Sequence, residues 1–253
     1  MSLSPWVVME SIHGKFIINR YCAFQIDYLA KTGATHIESE IAALVGIANT
    51  LPDGCLIIDA GANIGLISVP LAQAVKDRGG KVIAYEVQCP LYQALCGSAV
   101  LNDLDNLFPR NMGLSDQFES VKHPDVDYHK PSDYGLVSFV DRKEHEEYVY
   151  KGDEHYTKQM VLTAIDFLSF SRLDLLKIDV EGMEFQVLTG ARRSLEQFRP
   201  WCWVEYFMSD VEALKSCFDG LDYTFFRMDA QNMLCAPRKR LVESGFRIEA
   251  EPM

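Results

Sequence analysis

Short apolar segments alternate along this chain with segments of helical periodicity, and this alternation limits the folds that are open to it. CLIIDA (55–60), KVIAYE (81–86) and LDLLKIDV (173–180) predict buried strands. Strands that alternate with helices favour a mostly parallel sheet with helices on both faces. Four further candidates bring the predicted sheet to seven strands: LFPRNMGLS (107–115), WCWVEYF (201–207), DYTFFRM (222–228) and MLCAP (233–237).

The intervening segments predict helices, and the longest of them are residues 35–51, 64–80, 89–103 and 183–198. Pro70 is awkward within 64–80, because proline fits the first turn of a helix but kinks its interior. We therefore predict an α/β fold that forms one domain over residues 1–253. Residues 1–54 are expected to be an N-terminal helical or cap segment.

Composition limits the cellular locations and the binding partners that we expect for this chain. No apolar run reaches the roughly 18 residues of a transmembrane helix, and the N-terminus lacks the pattern of a secretory signal. The seven cysteines include no CxxC pair, which argues against a disulfide framework or a zinc site. The net charge of −12 disfavours partners that are bound through a phosphate backbone. We expect a cytoplasmic protein with no membrane and no nucleic-acid partner.

One long segment, residues 117–160, interrupts the alternation. It carries four of the six histidines and five of the eleven tyrosines, with high charge and little apolar periodicity. It is either a solvent-exposed loop or a lid that binds the acceptor substrate of a reaction at the open end of the sheet. Its four histidines could serve as a catalytic base, but we expect each of them to be an exposed residue instead: His123, His129, His145 and His155.

A glycine-containing turn follows the first strand of the predicted sheet. Asp59, Gly61, Asn63 and Gly65 lie at this turn, where glycine allows a ligand to approach the backbone closely. Glu86 ends the next strand, where a carboxylate can accept hydrogen bonds from two ribose hydroxyls. The dinucleotide fingerprint requires glycine where this chain has Asn63. The carboxylate of Asp59 would repel a pyrophosphate, so the pattern favours the cationic S-adenosylmethionine over NAD.

Five motifs occur in a characteristic order along the chain: IIDAGANIG, YEVQ, GLSD, TAIDFL and LLKIDVEGMEFQVLTGA. Over about residues 35–207 this order resembles that of FkbM-type methyltransferases. The resemblance implies the class I methyltransferase (Rossmann-like) fold, whose seven-stranded sheet is parallel except for its last strand, and S-adenosylmethionine as cofactor. It also implies O-methylation of a sugar or another small hydroxylated acceptor. By the same resemblance the methionine part of the cofactor contacts the turn residues, Glu86 holds the ribose and Asp116 lies near the adenine.

Charged residues cluster where the fourth strand of the predicted sheet ends. Lys177, Asp179 and Glu181 lie on one side if the extended conformation persists through residue 181. Neighbouring carboxylates can raise the pKa of one of them and create a base for an alcohol. A divalent metal on the same oxygens is an alternative, and Glu205 could join either arrangement.

A structural interpretation competes with this one. Asp179 and Glu181 would then accept backbone hydrogen bonds at the start of the next helix, with Lys177 as their counter-charge. Glu184 is expected on an exposed helix face.

The sequence leaves three other functions open. An NAD-linked oxidoreductase is disfavoured by Asn63. A nucleic-acid methyltransferase is disfavoured by the acidic net charge and by DVEG at 179–182, where base-methylating enzymes usually have an (N/D)PP(Y/F) motif. A non-catalytic S-adenosylmethionine-binding protein is the third. We favour an S-adenosylmethionine-dependent O-methyltransferase.

Overall fold

The first elements of the fold are an antiparallel hairpin and two helices. The computed structural model describes residues 3–124, 126–138, 157–248 and 250–253. Strands β1 (Trp6–Ser11) and β2 (Gly14–Asn19) pair antiparallel, and α1 (Ala23–Thr32) and α2 (Glu38–Thr50) follow. The expectation of a helical N-terminal segment is thus wrong for residues 6–19. Trp6, the valines beside it and the FII run of β2 favour extended structure, and Gly14 turns between the strands with a φ of 121°.

Strands and helices then alternate as the sequence predicts. The first group is β3 (Leu56–Ala60), α3 (Ser68–Lys76), β4 (Lys81–Tyr85), α4 (Cys89–Leu101) and β5 (Leu107–Arg110). A small sheet follows, formed by β6 (Gly113–Ser115), β7 (Glu119–Pro124) and β8 (Thr157–Ala164). The chain ends with β9 (Leu175–Ile178), α5 (Glu184–Thr189), α6 (Arg192–Phe198), β10 (Trp201–Glu205), α7 (Val211–Ser216), β11 (Tyr223–Arg227), β12 (Asn232–Pro237), α8 (Arg238–Ser244) and β13 (Glu251–Pro252).

The central sheet has the predicted topology. Its strand order is β13-β11-β12-β10-β9-β3-β4-β5. Neighbouring strands from β10 to β5 are parallel, whereas β12 runs antiparallel to both β10 and β11. The seven predicted strands are all present, and β13 adds two residues at one edge. This confirms the class I methyltransferase architecture, in which the carboxyl ends of β3, β4, β9 and β10 meet at one edge of the sheet.

Three boundaries differ from the prediction for local physical reasons. The segment 107–115 divides into β5 and β6, because the Asn111 side chain at the bend donates hydrogen bonds to the carbonyls of Glu86 and Val87. The segment 183–198 divides into α5 and α6 near Gly190, where a Cβ atom would lie 2.0 Å from the carbonyl oxygen of Ser115. Within 117–160, β7 and β8 pair antiparallel in a stretch expected to be irregular.

The sheet buries apolar residues on both faces. Ile57 and Leu175 belong to one apolar cluster, and Ile58 and Leu176 belong to the other, as alternation along a strand requires. Pro70 is tolerated because it lies in the first turn of α3, where the amide has no helical partner. The seven cysteines are all free thiols. Among the described residues, no helix is both long and apolar enough to cross a bilayer.

Candidate active site

A cavity of about 280 Å³ opens at the carboxyl ends of the central strands. Its wall includes the turn after β3, Glu86 after β4, the turn after β9, and Glu205 at the end of β10. Part of the 117–160 segment closes the outer side with Asp133 and the residues 135–137. Ligands of open α/β sheets bind at this edge, so the cavity is where the sequence predicts a cofactor site.

The turn after β3 is fixed by backbone contacts. The amides of Gly61 and Ala62 donate to the carbonyl of Tyr85 at 3.0 and 2.9 Å, and Gly61 has a φ of 79°. A Cβ atom on Gly61 would lie 1.7 Å from the carbonyl oxygen of Asp179. The backbone of the turn after β9 therefore occupies the space that a side chain at Gly61 would need. Glycine is required there for contact between two turns, in addition to any ligand contact.

We expect Gly61→Ala to destabilise the protein more than Gly79→Ala. Both glycines have positive φ, but nothing lies within 4 Å of a Cβ atom on Gly79. Gly79→Ala should therefore cost only the conformational penalty of about 1–2 kcal/mol, whereas the clash at Gly61 should add about 1–3 kcal/mol. Urea unfolding of both variants measures the difference. Equal stability of the two variants would contradict the close contact.

Asp59 lies behind the cavity wall instead of in it. Its side chain is fully buried, one carboxylate oxygen accepts from the Ser68 hydroxyl, and the other lies 3.4 Å from Nζ of Lys177. Asp59 and Lys177 are register partners on adjacent strands, so alternation directs both to the same face. The prediction of a direct contact between Asp59 and the cofactor is corrected: the Asp59 carboxylate supports Lys177, which reaches the wall.

Lys177 holds three oxygens together. Its Nζ donates to the carbonyl of Gly61 at 3.1 Å and to Oδ2 of Asp179 at 3.2 Å, in addition to the pairing with Asp59. Burial opposes the charge on Lys177, but Asp179 and Asp59 outweigh burial and raise the pKa of the lysine. Lys177 is therefore a permanent cation. It links the turn after β3 to the acidic end of β9.

Glu86 lines the cavity with a partly neutralised carboxyl group. Its Oε2 accepts from the amide of Asn63 at 2.8 Å, and its Oε1 accepts from the amide of Gln88 at 2.7 Å. Burial raises the pKa of Glu86 to about 7, against the opposing effect of the two hydrogen bonds. The carboxyl group is thus held rigidly beside the turn after β3, where the sequence predicts ribose recognition.

Three carboxyl groups meet on the far side of Lys177. One oxygen each of Asp179, Glu181 and Glu205 lies within 4.8 Å of the others. Burial, followed by repulsion from Asp179, raises the pKa of Glu181 to about 9 and that of Glu205 to about 10. This acidic cluster brings together the three predicted catalytic carboxylates, but the backbone conformation that does so differs from the predicted one. The strand ends at Ile178 and Glu181 has a φ of 52°, so a tight turn replaces the predicted strand extension.

Glu184 contradicts the expectation of an exposed helix face. Only 1% of the residue is exposed, and its Oε1 accepts from the amides of Val180 and Gly182 at 3.1 and 3.0 Å. Its other oxygen accepts from the hydroxyl of Ser209. Glu184 thereby performs the backbone-capping role that the structural interpretation assigned to Asp179 and Glu181. Those two carboxylates remain directed to the cavity wall.

We expect Glu205→Gln to be more stable than the wild type at alkaline pH. A carboxyl group whose folded pKa lies near 10, well above its ordinary 4.5, keeps a proton that the unfolded chain releases. Wild-type stability should therefore fall as pH rises between these values, and glutamine should remove this loss. Melting temperatures at about pH 4 and about pH 8.5 check this, with an advantage of about 2–4 °C per kcal/mol at the higher pH only. An equal difference at both pH values would contradict the raised pKa.

One described stretch of the long segment, residues 126–138, is joined to both ends of the cavity. The side chain of Gln88 donates to the carbonyl of Tyr134 at 2.9 Å and accepts from the hydroxyl of Tyr128 at 2.7 Å. At the other end, the hydroxyl of Ser138 donates to the carbonyl of Glu181 at 2.7 Å. This stretch therefore forms a fixed outer wall between Glu86 and the acidic cluster. Residues 139–156 of the proposed lid, with His145 and His155, lie outside the described residues.

A family model described as the methyltransferase FkbM domain matches residues 59–233, which is 175 of the 253 residues. The chain belongs to the FkbM family of S-adenosylmethionine-dependent methyltransferases. Within this span lie the turn after β3, Glu86 and the acidic cluster.

The chain is similar to one curated methyltransferase and to two solved structures. Methyltransferase sdnD from Sordaria araneosa is 31% identical over 169 residues, which cover 57% of this chain and 62% of sdnD. The crystal structure of methyltransferase FkbM from Methylobacillus flagellatus KT has a TM-score of 0.50 and 18% identity, covering 73% of this chain and 44% of that one. Trm5b from Pyrococcus abyssi also has a TM-score of 0.50, with 10% identity and coverage of 92% and 56%. The two structures show similarity of fold alone. The chain spans less than two thirds of each of these relatives.

Two FkbM motif residues have positions that differ from the expectation. Asp116 of GLSD is exposed and outside the cavity wall. The backbone at 115–116 instead packs against Gly190 of the VLTGA motif, which is a structural reason for the presence of both motifs. Gly65, with a φ of 96°, packs against the Leu95 side chain and is also outside the wall.

Sequence reasoning assigns no role to several polar residues of the cavity wall. Four of them are Gln88, the last residue of the YEVQ motif, and His36, Glu40 and Asp133. Of these, only Gln88 had a signal in the sequence, because it directly follows the predicted ribose-binding region. His129 is exposed and does not line the cavity. The side chain of His123 lies outside the described residues.

Proposed function

We propose that this chain is one catalytic domain that transfers the methyl group of S-adenosylmethionine to a hydroxyl group of a sugar or a similar small acceptor. One observation carries the proposal. A single cavity is bordered by the fixed carboxyl group of Glu86 at one end and by the acidic cluster of Asp179, Glu181 and Glu205 at the other. Glu86, which would bind the cofactor, and the acidic cluster, which would accept the proton, thus line the same cavity.

The chain's own residues supply the cofactor contacts that we propose. Glu86 would accept hydrogen bonds from the ribose hydroxyls, using the lone pairs that remain beside its two backbone donors. The turn containing Gly61 and Asn63 would contact the methionine part of the cofactor. The acidic surroundings favour a ligand with a sulfonium and an ammonium group. When bound, S-adenosylmethionine supplies an electrophilic methyl group.

The acidic cluster would remove the proton of the acceptor. The acceptor oxygen forms a bond to the methyl carbon as the carbon–sulfur bond breaks, the electron pair of that bond stays on sulfur, and the hydroxyl proton passes to a carboxylate of the cluster. Coupled carboxyl groups with pKa values of about 9 and 10 are stronger bases than ordinary carboxylates once ionised. Most of the acceleration would come from holding the acceptor oxygen in line with the carbon–sulfur bond.

A divalent cation on the same three oxygens is an alternative means of acidifying the hydroxyl, because hard cations prefer carboxylate ligands. Dialysis against EDTA distinguishes the two. Activity that survives EDTA supports the carboxylate base, and activity that is lost and is restored by Mg²⁺ or Mn²⁺ supports the metal.

Two measurements test the proposed function. Calorimetry should detect binding of S-adenosylmethionine and S-adenosylhomocysteine to the wild type, and weaker binding to Glu86→Ala, whereas NAD should not bind. Incubation with trideuteromethyl-labelled cofactor and a panel of sugars and polyketide alcohols should then give products 17 Da heavier by mass spectrometry. Cofactor binding without any methylated product would favour a non-catalytic binding protein. Tight binding of NAD would favour an oxidoreductase.

A further inference from the structure

The charges on the cavity wall are almost entirely of one sign. Among the described residues, six acidic side chains line the cavity: Glu40, Glu86, Asp133, Asp179, Glu181 and Glu205. The basic ones are Lys177 and His36. Lys177 is already held between the carboxylates of Asp59 and Asp179. Burial lowers the pKa of His36, with Asp133 opposing this, so His36 is neutral at physiological pH.

Glu40 extends the acidic surface beyond the acidic cluster. It lies on α2, whereas Asp179, Glu181 and Glu205 follow central strands, so carboxyl groups face the cavity from two separate elements. Burial raises the pKa of Glu40 to about 7. Within the described part of the chain, no side-chain hydrogen bond or ion pair joins Glu40, Glu181 or Glu205 to a donor. These carboxyl groups are therefore available to a ligand.

An anionic acceptor would meet repulsion with no available cation in this wall. Burial, followed by repulsion from neighbouring acids, leaves part of these carboxyl groups protonated at neutral pH. A phosphate or carboxylate beside the reacting hydroxyl would add negative charge next to their ionised fraction, and like charges in contact are disfavoured at binding sites. A neutral polyol can donate hydrogen bonds to the same carboxylates, and an ammonium group can pair with them. The cavity wall can therefore discriminate acceptors by their charge.

We propose, on the basis of the proposed function, that the cavity selects neutral or amine-bearing hydroxylated acceptors and rejects those with a phosphate or carboxylate beside the reacting hydroxyl. Glu40 is the specificity residue in this proposal, because it adds acidic surface from outside the catalytic machinery. Sugar phosphates, uronic acids and nucleotide-linked sugars that carry their anion beside the reacting hydroxyl are then excluded, whereas free sugars, amino sugars and amino alcohols are accepted.

The experiment uses the full chain with trideuteromethyl-labelled S-adenosylmethionine and a polar metabolite extract. Products are separated by ion exchange into cationic, neutral and anionic fractions before mass spectrometry. We expect at least about 10-fold more labelled product in the cationic and neutral fractions than in the anionic fraction. Label that is concentrated in the anionic fraction would overturn the proposal.

A charge reversal at Glu40 gives the second arm. Glu40→Lys should raise the ratio of anionic to neutral products by at least about 10-fold, because it replaces repulsion by attraction. Glu212→Lys, with the same charge change at an exposed residue of α7 outside the cavity, should leave this ratio unchanged. Identical ratios in the wild type and Glu40→Lys, with S-adenosylhomocysteine binding retained, would remove Glu40 from the proposal. The absence of label from every fraction would instead refute the proposed methyl transfer, and the selectivity with it.

Discussion

Glu205→Gln and Asp179→Asn should each lower the rate of methyl transfer by about 10²–10⁴-fold, the range that a positioned general base contributes. Each substitution removes an ionisable oxygen from the acidic cluster but preserves the size of the side chain. Affinity for S-adenosylhomocysteine should change little, because Glu86 and the turn after β3 remain intact. The rate is measured with an acceptor found by the labelling experiment, and binding is measured by calorimetry.

The pH dependence of the same variants separates a base from a merely structural residue. The base form of the cluster accumulates as pH rises toward the pKa values of about 9 and 10. Wild-type kcat/KM should therefore increase from neutral pH upward, and this slope should flatten in Glu205→Gln. Glu212→Gln, at an exposed site, should keep the wild-type profile. Wild-type rates in both Glu205→Gln and Asp179→Asn would show that the proton acceptor lies elsewhere, even though the fold is correct.

Lys177→Met should destabilise the protein by about 3–5 kcal/mol, as removal of one partner of a buried ion pair does. Asp59 is completely buried, and Lys177 is the only cation that the described residues place against it. Methionine leaves that carboxylate with the Ser68 hydroxyl alone. Urea unfolding measures the loss.

A double-mutant cycle assigns this effect to the charge. Lys177→Met combined with Asp59→Asn should recover part of the stability, because the second substitution removes the unpaired charge. Lys76→Met is the control: Lys76 is 38% exposed and pairs with the exposed Asp105, so its loss should cost less than about 1 kcal/mol. Additive losses at Lys177 and Asp59 would mean that the two residues act independently.

The sequence predicted the central sheet well because its signals are local. Apolar runs such as CLIIDA and WCWVEYF predict strands from their own composition. Because the carboxyl ends of parallel strands meet at one edge of the sheet, Glu86, Asp179 and Glu205 can be placed there without knowledge of any contact. The position of Glu181 was correct for the wrong reason. The turn that carries it depends on the capping by Glu184, and the burial of Glu184 is completed by Ser209, 25 residues along the chain, a contact that has no local signature.

The remaining errors have a similar origin. Asp59 was expected to face the cofactor because its charge was visible, but the partner that absorbs this charge lies 118 residues away on β9. Glu40 lines the cavity because the first turn of α2 borders it. The contacts of Gln88 with Tyr128 and Tyr134 join two segments that share no periodic pattern. Such residues become recognisable only after the packing of whole elements is known.

The backbone contact between Gly61 and Asp179 has a practical consequence for redesign. The loop after β3, which carries Gly61, and the loop after β9, which carries Asp179, are in contact through main-chain atoms. Neither loop can therefore be remodelled without shifting the other. Libraries that seek new acceptors should leave both loops untouched and diversify α2 near Glu40 and, in the outer wall, Asp133, Leu136 and Val137. Those positions reach the same chamber through side chains, which can be exchanged one at a time.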